Sequence, residues 1–542
     1  MCGSCGVRQP SCRLVVLSTL HSTTTAQVRK ALIEPSEIAL LDVREEGPFA
    51  AAHPLFAASL PLGRLELEIG DRVPRRSTRI VVYDNGEGLN TCAVDRLRAL
   101  GYSDVSLLEG GLDGWRRAGG EVFRDVNTPS KAFGELVEAR RHTPSLDAAE
   151  VKALLDAHAD VVVLDARRFE EYRTMSIPTA LSVPGAELVY RVQAAAPSPS
   201  SLVVVNCAGR TRSIIGAQSL VNAGIPNRVA ALRNGTIGWT LAGFALEHGQ
   251  MRSASAVPRD IADRSRVAAR QVAERALVRR VVSRDLAVWA DGDVRTTYRF
   301  DVRSPDEYAR GHLPGFRSTP GGQLVQETDV FAPVRGARIV LWDPEQIRAD
   351  MTASWLAQMG WDVCVVDDAS LNEAREVGPW RPVIPPVPDV PGVEPSELEP
   401  ERTRGAVLVD VAPSVEYLRG HIPGAWLVSR TSRDSAMAAL PSAAHYIVTS
   451  GDGVLASFFA PELAATTGAR VSMLTGGTAA WTSSGRALRS DGERLTMSPI
   501  DVYKRPYEGT DNSAQAMQAY LDWEYGLVAQ LERDGTHGFH VI

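Results

Sequence analysis

A short aliphatic run ending in aspartate returns four times along the chain. It reads Ile38-Ala-Leu-Leu-Asp42-Val-Arg44, then Val161-Val-Val-Leu-Asp165-Ala-Arg167, Tyr298-Arg-Phe-Asp301-Val-Arg303 and Ala406-Val-Leu-Val-Asp410-Val-Ala412. Recurrence at domain-sized intervals means that one structural unit is used four times. An apolar run of this length between polar residues suits a strand buried in a parallel sheet.

Further landmarks follow each aspartate in a fixed order. An acidic-aromatic pair comes first (Glu171-Tyr172, Glu307-Tyr308, Glu416-Tyr417, and a looser Glu46 to Phe49). Next come Gly311-His312-Leu-Pro-Gly315 and Gly420-His421-Ile-Pro-Gly424, with reduced forms at His53-Pro54 and Ser176-Ile-Pro178. A second strand, a helical stretch and a third strand ending in a Gly turn complete the unit, although the third copy lacks that ending. Strands alternating with helices predict βαβ units, a mostly parallel sheet flanked by helices. The repeats place domains at 20–128, 143–253, 265–385 and 402–490. Arg259 to Arg284 reads as a surface helix, and proline-rich Pro382 to Glu401 as an extended linker. The aromatic tail, 491–542, has helical spacing over Ala514 to Leu531, predicts docking on a neighbour, and carries no legible chemistry.

Composition narrows the functions. The 542 residues carry a net charge of −7, so no basic excess exists to neutralise a phosphate backbone, and no nucleic-acid partner is expected. No apolar run is long enough to span a bilayer, and Leu14 to Leu20 is too short, so no membrane partner is expected either. Six cysteines in this length are too few for a disulfide scaffold, which predicts a reducing, cytoplasmic setting.

One loop carries chemistry. Strand Leu202 to Val205 leads through Asn206 into Cys207-Ala208-Gly209-Arg210-Thr211-Arg212, and a helix begins at Ser213. The cysteine therefore sits at the C-terminal end of a parallel strand, where open α/β sheets place ligands. It also precedes a helix N-terminus, which favours an anion and predicts a lowered thiol pKa. Gly209 lets the loop curl so that its N–H groups converge. Arg210 and Arg212 add positive charge for an anionic substrate. The other repeats offer Asn85-Gly-Glu-Gly-Leu-Asn, Pro344-Glu-Gln-Ile-Arg-Ala and Gly451-Asp-Gly-Val-Leu-Ala here, with acid and no nucleophile at the cysteine position.

Together the Asp-Val-Arg strand end, Glu-Tyr, Gly-His-Ile-Pro-Gly and Cys-x-x-Gly-x-Arg loop resemble the rhodanese (sulfurtransferase) family, in four tandem copies reaching to about residue 490. The resemblance implies an α/β fold of four rhodanese-like domains, of which only the second is catalytic. It implies that Cys207 accepts a sulfane sulfur as a persulfide, and that Ala208, Gly209, Arg210, Thr211 and Arg212 cradle the anion. Asp165 and Arg167 resemble the family's structural strand-end pair. The implied partners are a small anionic sulfur donor such as thiosulfate and a thiol, cyanide or protein-thiol acceptor, with no cofactor and no metal. The second copy departs from the family at Met175-Ser176-Ile-Pro-Thr179. Phosphatase chemistry needs Cys, five residues, then Arg. Arg212 comes one position too early, so the loop suits a terminal sulfur better than a phosphate.

Two rival readings follow. In one, the degenerate copies make a sulfur carrier or scaffold that binds a partner protein; in the other, Cys207 modification is sensed as a change in domain association. Cys2-Gly-Ser-Cys5 and Cys12 could hold a metal or act in redox chemistry. Cys92 and Cys364 read as core residues or resolving thiols, and His312 and His421 as local hydrogen-bonding groups.

Overall fold

A computed structural model describes residues 21–542 apart from 35, 291–293, 373–375 and 433–436. Cys2, Cys5 and Cys12 lie outside the described residues. Each of the four units is a five-stranded, all-parallel sheet with the same strand order, in which the fourth strand in sequence occupies the centre. The central strands are Ile80–Tyr83, Leu202–Asn206, Arg338–Trp342 and His445–Thr449. Their aliphatic residues are buried on both faces, as the run of β-branched side chains requires. Capping boxes start several helices: Thr24 with Gln27, Asp147 with Glu150, and Ser304 with Glu307.

The aspartate that marks each repeat ends a strand beside the central one. In the first three units its carboxylate pairs with the arginine two residues on, as in Asp165–Arg167 at 2.7 Å. That arginine also donates to a carbonyl eight residues ahead, at Ala52, Met175 or Gly311. The pair ties the strand end to the following helix. In the fourth unit Ala412 stands at the arginine position, and Asp410 keeps only the Ala412 N–H at 2.9 Å.

Three expectations change. The helix read over 259–284 ends at Arg275, and Arg279–Val281 is the edge strand of the third sheet. Ala269, Val272 and Ala273 of that helix are buried between units two and three, while Asp263, Arg264 and Val267 stay exposed, so it is a surface helix with one docked face. The expected linker 382–401 contains Gly392–Val393, which pairs with Met473 and Leu474, so the fourth sheet begins before residue 402. Proline spacing hides a two-residue strand because edge pairing needs so few residues. The tail breaks at Gly526 into helices Ala514–Tyr525 and Leu527–Asp534.

Units two and three dock through matching loops, with Gly322 so close to Gly185 and Ala186 that an added Cβ would meet their nitrogens at 3.2 Å. Units one and four join through Arg430, which makes two bonds of 2.7 and 2.9 Å to Glu66. One apolar core runs through units one and three and takes in Phe133, Val137, Ile214 and Ile215. Helix Thr128–Arg141 links units one and two and lies against the helix that follows Cys207.

Candidate active site

Cys207 follows the central strand of the second sheet and is 1% exposed. Its loop closes against the next strand-to-helix turn: Thr236 N–H donates to the Cys207 carbonyl at 2.9 Å and Ile237 N–H to the Ala208 carbonyl at 3.0 Å. Gly235 makes this approach possible. It has φ +53°, and a Cβ there would lie 2.3 Å from the Cys207 carbonyl oxygen. Helix Thr211–Asn222 begins inside the loop, and its N-terminus faces the sulfur. Ser213, in the first turn of that helix, donates its hydroxyl to the Arg210 carbonyl at 2.8 Å, and its polar groups favour the thiolate.

The internal copies show what such a cradle holds. Strand register pairs Asp165 with Asn206, Asp42 with Tyr83, Asp301 with Trp342 and Asp410 with Thr449. The residues that follow, Cys207, Asp84, Asp343 and Ser450, therefore occupy one equivalent position. This corrects the alignment of the repeats by one residue, since Asn85, Pro344 and Gly451 sit one step too far along. Uneven strand lengths hide the register in the sequence, and pairing settles it. In unit one, N–H groups of Leu89 and Asn90 donate to Asp84 Oδ2 at 2.7 and 3.1 Å. In unit three, N–H groups of Arg348 and Ala349 donate to Asp343 Oδ2 at 2.8 and 3.2 Å. Counting from the strand, these donors match Arg212 and Ser213. Two copies of the cradle thus hold a fixed anion, and the second presents the same geometry to a sulfur. Unit four has a hydroxyl, Ser450 Oγ, which accepts from Ala456 N–H at 3.2 Å.

Two electrostatic expectations are reversed. Burial pushes the Cys207 thiol above its ordinary value, against the opposing pull of Arg212 and the polar groups of Ser213. The arginines carry no free charge. Arg212 makes a two-pronged pair with Glu171, both bonds 2.8 Å. Arg210 does the same with Glu135, at 2.7 and 2.8 Å. Burial opposes ionisation of Glu171, but Arg212 holds its carboxyl well below the usual range. The arginines brace the loop, and the anion-binding groups left to it are backbone N–H groups. Glu171 belongs to the repeated Glu-Tyr pair, which marked its place in the repeat but not its pairing with Arg212; Glu135 lies between repeats and was not marked at all.

The tail covers this loop. Ala208 and Ile237 share an apolar cluster with Tyr507, Met517, Tyr520 and Leu521. A Cβ on Gly209 would lie 3.1 Å from the Tyr520 ring and 3.2 Å from Glu524 Oε2. Tyr525 hydroxyl receives Arg210 Nη1 at 3.0 Å, and the guanidinium lies 4.1 Å from the Tyr525 ring centre. Glu524 is fully buried. Burial pushes its carboxyl up to about 8. The predicted docking of the tail is therefore observed, and its place is over the cysteine loop, which no motif in the tail announces.

A family model for the rhodanese-like domain matches residues 24–118, 147–242, 289–370 and 394–484. The chain belongs to the rhodanese-like family. A crystal structure of thiosulfate sulfurtransferase from Pseudomonas aeruginosa is 58% identical, with a TM-score of 0.95, covering 96% of this chain and 100% of that one. This rhodanese is accordingly a sulfurtransferase. An uncharacterised Synechocystis protein, slr1261, is 32% identical over 111 residues, 20% of this chain and 59% of that relative's length. The Alr3790 protein from Anabaena is similar over 19% of this chain and 83% of that one, at 29% identity and a TM-score of 0.18.

Residues outside the second unit's loop serve the rhodanese frame. Cys364 lies buried in a strand of unit three, where burial pushes its thiol up to about 12. Cys92 is half-buried in a helix of unit one. His312 and His421 each stack on a tyrosine at 3.7 Å and hydrogen-bond to its carbonyl at 2.9 Å. No group of three metal-ligating side chains occurs among the described residues. No helix among them is long and apolar enough to cross a membrane.

Proposed function

We propose that the second domain transfers a sulfane sulfur through a persulfide on Cys207. The observation that carries this is the equivalence of Cys207 with Asp84 and Asp343, whose carboxylates accept the N–H groups of the same cradle. A persulfide terminus is a monoanion and would take the place of those carboxylate oxygens. The Cys207 thiolate attacks the outer sulfur of a donor such as thiosulfate, and the sulfur–sulfur bond of the donor breaks. Sulfite leaves with the bonding pair, and Cys207–S–S⁻ remains. An acceptor thiolate, from a small thiol or a protein, or cyanide then attacks the outer sulfur, and Cys207 leaves as thiolate. Ala208 to Arg212 stabilise the charge in both half-reactions, without a cofactor. Domains one, three and four have no thiol at the equivalent position and act as the frame around the second.

The test is intact mass after incubation with thiosulfate. The wild type should gain one sulfur, mapped to Cys207 and removed by cyanide or a thiol, while Cys207→Ser gains none and loses transfer. Sulfur transfer persisting in Cys207→Ser, or a wild type that never loads, would refute the assignment.

A further inference from the structure

Among the described residues, the cations at the second domain's loop are all paired. Arg210 and Arg212 are consumed by Glu135 and Glu171, and Lys131 is buried against Asp125 at 2.7 Å. An oxyanion donor brings more negative charge than the sulfur cradle alone accounts for. Two buried polar atoms at the loop have no hydrogen-bond partner: Thr211 Oγ1 within it and Glu524 Oε2 of the tail helix above it. The sister oxygen, Glu524 Oε1, accepts the Tyr520 hydroxyl at 2.8 Å. The tail helix thus aims a carboxyl at Gly209, in the middle of the cradle.

We propose that Glu524 recognises the sulfur donor's oxyanion: in its protonated form, Oε2–H donates a hydrogen bond to a sulfonate-type oxygen seated over the loop. A carboxylic acid kept neutral by an apolar site is a donor that costs no ion desolvation. Burial, the largest influence on it, keeps the acid neutral up to about pH 8. Around it stand Tyr520 on its own helix, Tyr507 from the preceding strap, Asp125, Lys131 and Glu135 from the segment that links units one and two, and Arg210 and Cys207 from the loop. Glu135 and Cys207 repel its ionised form; Lys131, Arg210 and the Tyr520 hydroxyl favour it. Once ionised, Glu524 repels the donor instead of binding it. The inference rests on the proposed sulfur transfer and names Glu524 as the residue whose own protonation decides whether the donor binds.

The experiment measures thiosulfate binding by calorimetry to full-length Cys207→Ala, which removes the thiol's own titration, between pH 6 and 9.5. Kd should be flat below pH 8 and rise about tenfold per pH unit above it, the slope of one proton. Adding Glu524→Gln, a permanently neutral N–H donor, should hold Kd constant within about twofold over the range. Adding Tyr520→Phe instead removes a hydrogen bond that favours the carboxylate, so the rise should move to higher pH. Identical profiles in all three proteins, or no thiosulfate binding to Cys207→Ala, would overturn the role of Glu524. Failure of the wild type to load sulfur is a separate result and bears on the persulfide reading.

Discussion

Asp410 provides a measurement of what the strand-end arginine does. It is 1% exposed and has Ala412 where the other units have Arg44, Arg167 and Arg303. Burial raises its carboxyl from 3.8 to about 7. A group whose folded pKa exceeds its unfolded pKa binds its proton more tightly in the folded state. Its contribution to stability is therefore full below about pH 4, declines as pH rises, and reaches its full deficit above about pH 7. Three units at 1.36 kcal/mol each set that deficit at roughly 4 kcal/mol. The perturbation is Asp410→Asn, which keeps the shape and removes the charge. Because four docked domains need not unfold together, the readout should be local. Hydrogen exchange of the paired strands Val407–Asp410 and His445–Thr449 reports opening of that sheet. Wild-type opening free energy should fall by up to about 4 kcal/mol between pH 4 and 8, and the fall should vanish in Asp410→Asn. Ala412→Arg should reduce it as well, since it restores the strand-end pair that Asp42, Asp165 and Asp301 make with the arginine two residues on. The same pH slope in wild type and Asp410→Asn would refute the reasoning.

Two further outcomes test the loop. Gly235→Ala places a Cβ 2.3 Å from the Cys207 carbonyl at a positive φ. Sulfur transfer should fall at least tenfold and stability by about 1–3 kcal/mol, read from steady-state kinetics and denaturant unfolding. Glu135→Gln frees the Arg210 charge beside the loop. The Cys207 thiol should then ionise at lower pH, seen in alkylation rate against pH, while stability drops by about 3 kcal/mol for a broken buried pair. An unchanged alkylation profile would mean that Arg210 is too far from the sulfur to matter.

The fold was legible because a parallel sheet writes itself into sequence. Its buried strands must be continuous aliphatic runs, so four such runs ending in aspartate, three of them with an arginine two residues on, announce four sheets. The loop proposed to carry the nucleophile was legible for the same reason, because Cys207, Gly209 and the following helix are adjacent in the chain. What was not legible depends on contacts between distant residues. Register, which decides that Asp84, Asp343 and Ser450 stand where Cys207 does, is fixed by hydrogen bonds between strands that the chain order does not reveal. The charge state of the site is decided likewise. Arg210 and Arg212 read as free cations until folding sets Glu135 and Glu171 against them, and the thiol reads as acidic until folding buries it. The sequence alone determined the architecture and pointed to the cysteine we propose as the reacting residue, since both follow from local pattern. Tertiary structure alone decided the electrostatics, because a charge's effect depends on which groups from distant parts of the chain share its low-dielectric surroundings.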